Sequence, residues 1–183
     1  MISWEQLEST CQQCQRCALA ETRTNCVFGV GNREAKLMFV GEAPGEQEDL
    51  QGIPFVGAAG KLLTDLLTSV GISRDEVYIA NILKCRPPKN RDPLPEEEDA
   101  CIDYLRAQTA LIRPAMLVCL GRVAAKRIID KDYQIMKQHG QWIERGGLAM
   151  TATLHPSALL RNPNNRPMTY LDFVDIAKRL RNL

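Results

Sequence analysis

The chain has 183 residues, 45% apolar and 25% charged, and its 23 Lys and Arg against 22 Asp and Glu leave a formal charge of +1. That is enough apolar content for one compact core, while no apolar run approaches the roughly 18–20 residues of a membrane helix and the first 30 residues lack the apolar centre of a signal peptide, so an intracellular protein is expected. The charge balance excludes a uniformly basic nucleic-acid binder and leaves open a local basic stripe.

In chain order, Ser3 and Gln6 have the spacing of a capping box and predict a first helix. Cys11, Cys14 and Cys17 follow as two overlapping Cys-x-x-Cys pairs. Four short apolar runs, 37–40, 77–80, 116–120 and 149–154, are bounded by turn residues and read as buried strands. Between the first two, Leu62, Leu63, Leu66, Leu67 and Val70 share one face of a helix over 60–70. Pro95 opens another helix, over 95–112, with Glu96, Glu97, Glu98 and Asp99 in its first turn, where acids complement the helix dipole. A last helix is expected from Thr169 to the C-terminus. The alternation predicts an α/β fold: a three-layer α/β/α sandwich with a central four-stranded, mostly parallel sheet. No repeat or composition break divides it, so residues 1–183 are expected to form a single domain with a cysteine-bearing N-terminal segment.

Open parallel sheets bind ligands in the crevice beyond the carboxyl ends of their strands. Here those ends carry unusual chemistry. The first strand runs into Gly41-Glu42-Ala43-Pro44-Gly45-Glu46-Gln47-Glu48-Asp49. The second runs into Asn81 and then Lys84-Cys85-Arg86-Pro87-Pro88-Lys89-Asn90-Arg91, and the last into His155-Pro156-Ser157-Ala158-Leu159-Leu160-Arg161. The three segments are expected to meet at one edge.

Seven cysteines cannot all pair as disulfides, and a reduced compartment points to a metal or cluster instead. Cys119, within an apolar run, and Cys26 read as buried thiols. The N-terminal pairs, with Cys85 and Cys101, can supply four thiolates either to tetrahedral zinc or to an iron–sulfur cubane, and spacing alone does not choose.

Gly41-Glu42-Ala43-Pro44-Gly45, Pro54-Phe55-Val56-Gly57-x-x-Gly60, Asn81-Ile82-Leu83-Lys84-Cys85-Arg86-Pro87-Pro88 and His155-Pro156-Ser157-Ala158-Leu159-Leu160-Arg161 occur in this order. With them the chain resembles the family 4 uracil-DNA glycosylases, the iron–sulfur branch of the uracil-DNA glycosylase superfamily, from Cys14 to the C-terminal helix. The resemblance implies one four-iron four-sulfur cluster held by Cys14, Cys17, Cys85 and Cys101, the first pair standing directly before Ala18-Leu19-Ala20-Glu21-Thr22-Arg23. Cys11 is then a surface thiol or a spare ligand. The implied activity is monofunctional removal of uracil from single- or double-stranded DNA in base excision repair, releasing free uracil and leaving an abasic site. A monomeric, cytoplasmic, nucleoid-associated prokaryotic protein without membrane contact is expected.

Such an enzyme extrudes the nucleotide into a pocket. Gly41, Glu42, Ala43, Glu48, Phe55, Asn81 and His155 are the expected uracil-binding residues. The Asn81 carboxamide can accept from uracil N3 and donate to O4, a pattern cytosine reverses; otherwise Asn81 merely ends its strand in a turn. Phe55, in a loop between Pro54 and Gly57, suits stacking on the base or else core packing. By analogy with the family, Glu48 is the candidate for the wall that excludes the methyl group of thymine. His155 can donate, as a neutral imidazole, to uracil O2 as charge develops there. Glu42 is the first choice to orient water and stabilise the sugar cation, with Asn90 or no strong base as alternatives, because the best-known branch of the superfamily has an Asp where this chain has Ala43. Leu159 and Leu160, expected in a loop, suit a wedge that fills the gap in the duplex, or else simple packing, and Arg161 a phosphate contact.

Two other classes fit parts of the sequence: a DNA-binding or cluster-bearing module that recognises uracil without cleaving it, and a zinc-stabilised nucleotide-binding enzyme whose Gly-rich loops hold phosphate. Superfamily members that trap uracil covalently carry a basic, His-containing insertion and Gln in place of Ala43, and neither is present. A phosphate-binding enzyme is suggested by Gly57-x-x-Gly60-Lys61, which lacks the Ser or Thr that should follow the Lys. Placed along the chain, the charge is segregated. Residues 41–49 hold four acids, 84–91 four bases, and 155–183 five bases against two acids. A basic stripe for DNA is therefore expected from 84–91 and the C-terminal part.

Overall fold

The structure, a computed structural model, describes residues 2–183. Two helices, α1 (Trp4–Gln12) and α2 (Leu19–Thr22), precede a short strand β1 (Val30–Gly31) and the first long one, β2 (Leu37–Gly41). Then come α3 (Glu46–Gln51), α4 (Ala58–Ser69), β3 (Tyr78–Asn81), α5 (Pro95–Ile112), β4 (Met116–Leu120), α6 (Arg122–Ile128) and α7 (Ile135–Gln138). β5 (Ile143–Arg145), β6 (Leu148–Thr153), α8 (Pro156–Arg161) and α9 (Arg166–Arg181) complete the chain. The Ser3–Gln6 capping box forms reciprocally, and α5 begins at Pro95 as its sequence requires.

The sheet has six strands in the order β1-β3-β2-β4-β6-β5, which corrects the expected four. The four expected strands are its parallel centre. The two added ones are antiparallel edges, β1 against β3 and β5 against β6. Both edges are two or three residues long and largely exposed, so no apolar alternation announces them. Strand alternation sorts the core onto two faces. Met38, Val40, Leu117 and Cys119 pack with Leu7, Ile102 and Leu105 beneath α1 and α5. Leu37, Phe39, Met116 and Val118 pack with Leu63, Leu67 and Phe173 beneath α4 and α9. Helices thus cover both faces, as expected, and Cys119 and Cys26 are buried.

From β2 the chain moves first to β3 on one side and then to β4 on the other. The strand order reverses at β2, so its carboxyl end, Gly41-Glu42, lies at a topological switch point. No helix among the described residues is long and apolar enough to cross a membrane.

Candidate active site

A cleft of about 470 Å³ opens at the switch point. All three motif-bearing segments reach it: Glu42, Ala43 and Glu48 follow β2, Asn81 ends β3, and His155 and Arg161 follow β6, with Phe55 from the loop before α4. Lys61 is exposed on α4 and the cleft does not include it, which removes the phosphate-loop reading.

Gly41 lets two walls of the cleft approach each other. A Cβ there would lie 2.4 Å from Asn81 Oδ1 and 2.6 Å from Phe55 Cζ. Asn81 is 2% exposed, yet its Oδ1 has no hydrogen-bond partner. Buried polar atoms are nearly always paired, so an unpaired acceptor facing a cleft marks a place where a ligand donor fits. The Phe55 ring lies 5.5 Å from the His155 ring, tilted by 31°, which closes the same pocket. Phe55 also holds φ at 53°, in the left-handed region that bulky residues avoid. Glu48 lines the pocket, and its Oε1 accepts hydrogen bonds from the Val56 and Gly57 amides, each at 3.0 Å.

His155 caps α8. Its Nδ1 accepts from the Ser157 amide at 3.1 Å and lies 2.7 Å from Ser157 Oγ. A backbone amide can only donate, so in the neutral ring the proton sits on Nε2, which is free to donate into the cleft. Burial, reinforced by Arg161, pushes the imidazole down to about 4, so it is neutral at physiological pH. Ser157, which sets the tautomer, was not singled out in the sequence; the signal available was its place at the second position of a helix whose N-cap is His155. Glu42 is pushed up to about 7 by burial and then by the Asp92 carboxylate, against the opposing pull of Arg122 and Arg161. Asp92 pairs with Arg122 at the cleft rim. Asn90, the alternative to Glu42, lines the cleft at φ 56°, and its Oδ1 accepts from Arg86 Nε at 2.8 Å.

Three expectations about the surroundings change. Leu159 and Leu160 lie on the helix α8, not in a loop, and successive helical residues point about 100° apart. Leu159 is 0% exposed and packs in the core beneath α4, so it is no wedge, whereas Leu160 is 41% exposed. Lys84 does not belong to a basic stripe: it is 1% exposed, and its Nζ donates to the Phe28 carbonyl at 3.0 Å and to Gln108 Oε1 at 2.6 Å. Arg91 is held bidentately by buried Glu97, at 2.7 and 2.9 Å. Of the bases in the expected stripe, Arg161 is exposed and lines the cleft, Arg86 is half-buried and bonded to Asn90 in the cleft wall, and Lys89 is exposed.

The cysteines gather on the face of the sheet that α1 and α5 cover. Cys14, Cys17, Cys85 and Cys101 line one mainly apolar cavity together with Cys11 and Tyr104. Cys101 Sγ accepts from the Lys84 amide at 3.3 Å, and Cys85 Sγ from Arg23 Nη1 at 3.2 Å. Burial pushes the Cys101 thiol up to about 11, and the neighbouring Cys26 and burial push Cys85 higher. Cys11 is 0% exposed, with its Sγ 3.5 Å from Cys26 Sγ, so it is not a surface thiol. Among the described residues, no three His, Cys, Asp or Glu side chains are grouped closely enough to hold one metal ion. The four thiols line one cavity, with N–H donors aimed at two of them, a donor set whose chemistry fits a thiolate-bound metal group.

A pocket at a sheet switch point, with an unpaired acceptor, an aromatic wall and an Nε2–H donor, is the kind of site at which an α/β enzyme takes a small ligand. The profile of the Uracil DNA glycosylase superfamily matches residues 28–181. Type-4 uracil-DNA glycosylases are similar over most of the length: that of Archaeoglobus fulgidus is 47% identical, covering 97% of this chain and 94% of its own. That of Thermotoga maritima is 49% identical, covering 84% and 81%, and that of Sulfurisphaera tokodaii is 44% identical, covering 96% and 84%. The chain belongs to the uracil-DNA glycosylase superfamily.

Proposed function

We propose that this protein is a uracil-DNA glycosylase that hydrolyses the bond between uracil and deoxyribose in DNA, releasing free uracil and leaving an abasic site for repair. The observation that carries the reading is the orphaned Asn81 Oδ1 in a pocket that His155 also enters. Uracil N3–H supplies the missing donor. Cytosine has an acceptor at that position and would leave the Asn81 oxygen unpaired, a penalty that gives strong discrimination. The extruded base stacks on Phe55.

As the C1′–N1 bond breaks, its electron pair leaves with the base and negative charge gathers on O2. The neutral His155 donates from Nε2 to that oxygen, already held in place by Ser157 and requiring no reorganisation. The ionised Glu42 stabilises the cationic sugar and accepts a hydrogen bond from the attacking water. The water oxygen bonds to C1′, its proton passes to Glu42, and the uracil anion leaves to be protonated by solvent. Outside the pocket, Arg161 contacts a phosphate and Leu160 fills the space left in a duplex. One chain supplies every residue of this site, which supports action as a monomer; a cytoplasmic, nucleoid-associated place in a prokaryotic cell suits a reduced thiol cluster and a DNA substrate.

We infer that Cys14, Cys17, Cys85 and Cys101 would hold one four-iron four-sulfur cluster, tying together the N-terminal segment, the loop after β3 and α5. Cys11, buried against Cys26, then serves packing.

Purified protein incubated with a duplex carrying one uracil is expected to give an alkali-sensitive abasic site; an intact strand in the presence of protein with full iron content would reject the glycosylase reading. For the cluster, Cys101→Ser is expected to lose iron and sulfide, and undiminished iron would exclude Cys101.

A further inference from the structure

The aromatic wall of the pocket is held in a backbone conformation that a phenylalanine adopts only when its surroundings impose it. The one-turn 3-10 helix Arg74–Glu76, ahead of β3, supplies one of the restraints. Arg74 Nη2 donates to the Pro54 carbonyl at 2.9 Å and the Phe55 carbonyl at 2.8 Å. Its Nη1 donates to the Gly60 carbonyl at 3.3 Å and to Thr64 Oγ1 at 3.0 Å, tying the same turn to α4. From the opposite side Glu48 accepts from the Val56 and Gly57 amides. A cation therefore grips the carbonyls of the turn and an anion its amides. The first turn of α4 closes the third side, since a Cβ on Gly60 would stand 1.9 Å from the Phe55 carbonyl oxygen.

Arg74 lines no part of the cleft, so nothing in its position calls for contact with substrate. We propose that Arg74 is a positioning residue for base recognition: its guanidinium fork, with Glu48 as counterpart, fixes the Phe55 ring at the angle at which it stacks on the extruded uracil. The inference rests on the reading of Phe55 as the stacking face. A fork is needed because Nη2 holds the two successive carbonyls of the turn while Nη1 reaches Gly60 and Thr64 on α4, two sets of acceptors that a single ammonium cannot serve at once. Glu48 thereby acquires a second task beside its place in the pocket wall.

The test is a double-mutant cycle read as the affinity for free uracil by calorimetry, with thermal unfolding followed in parallel. Phe55→Ala and Arg74→Met are each expected to weaken uracil binding about tenfold, the loss of one good base–aromatic stack. In the Phe55→Ala background Arg74→Met is expected to add less than about a twofold loss, because there is no ring left to position. Arg74→Lys, which keeps the charge without the fork, is expected to fall between wild type and Arg74→Met, and it carries the same comparison if the Met variant does not fold. Fully additive losses, or a lower Tm with uracil affinity unchanged in Arg74→Met, would overturn the positioning role while leaving the stacking reading standing. Unchanged affinity in Phe55→Ala would remove the stacking reading, and the positioning role with it.

Discussion

Glu42 offers the most direct test of the chemistry, because its ionisation falls where rates are easily measured. Burial first, and the Asp92 carboxylate next, raise the carboxyl from its ordinary 4.5 to about 7 in the free protein. The value of kcat/KM reports free-enzyme ionisations. With a midpoint at 7, about one molecule in eleven carries the carboxylate at pH 6 and about ten in eleven at pH 8, so kcat/KM rises about tenfold over that interval. His155, pushed down to about 4, stays neutral throughout and does not contribute to the rise. Asp92→Asn removes a neighbouring like charge and frees Arg122 from its partner, so the midpoint moves to lower pH and activity at pH 6 increases. Glu42→Gln removes the rise. The assay is single-turnover or steady-state excision of uracil from a labelled duplex between pH 5 and 9 at constant ionic strength. The same group leaves a thermodynamic trace. Its raised folded value means that its contribution to stability is fully present below about pH 4.5 and is lost as pH rises through about 7, so Glu42→Gln should flatten the fall in stability over that range. A pH profile that is flat from 6 to 8 in wild type, or identical in Glu42→Gln, would refute the assignment.

Asn81→Ala should leave Tm unchanged or raise it by a few degrees, because a buried unpaired oxygen is removed, while excision falls by about a hundredfold; a large loss of Tm would mean that the carboxamide is structural. Leu159→Ala should cost about 2–5 kcal/mol in urea unfolding, whereas Leu160→Ala should change stability by no more than about 0.5 kcal/mol and slow excision from duplex more than from single strands. His155→Ala should lower kcat about a hundredfold or more with the fold retained by circular dichroism, an unchanged rate counting against its role as donor to O2. Lys84→Ala should leave the salt dependence of DNA binding unchanged, because the ammonium is inside the protein, and Arg161→Ala should reduce that slope by about one ion.

Much of this protein could be read from its sequence alone. The four apolar runs marked the central strands, their alternation with helical segments implied a mostly parallel sheet, and Pro95 with its acidic first turn marked the start of α5, since these signals are local and carried by the chain itself. Three segments at strand ends were sufficient to bring Glu42, Asn81 and His155 to one cleft, because a parallel sheet brings its carboxyl ends together. What depended on long-range packing was not legible. The edge strands β1 and β5 form only because β3 and β6 offer unpaired edges. Leu159 and Leu160 are identical in composition and adjacent in sequence, and only the docking of α8 on α4 sends one into the core and the other to solvent. Lys84 looks basic and exposed in a list of residues, yet the carbonyl of Phe28 and the amide of Gln108, 56 and 24 residues away, hold it inside. Arg74 has no motif around it, and its link to Phe55 across 19 residues exists only in three dimensions. The sequence determined which chemical groups are available and at which strand ends they stand. Tertiary structure decided their protonation, their partners and their exposure, because burial and hydrogen bonding act between groups that the chain itself keeps far apart.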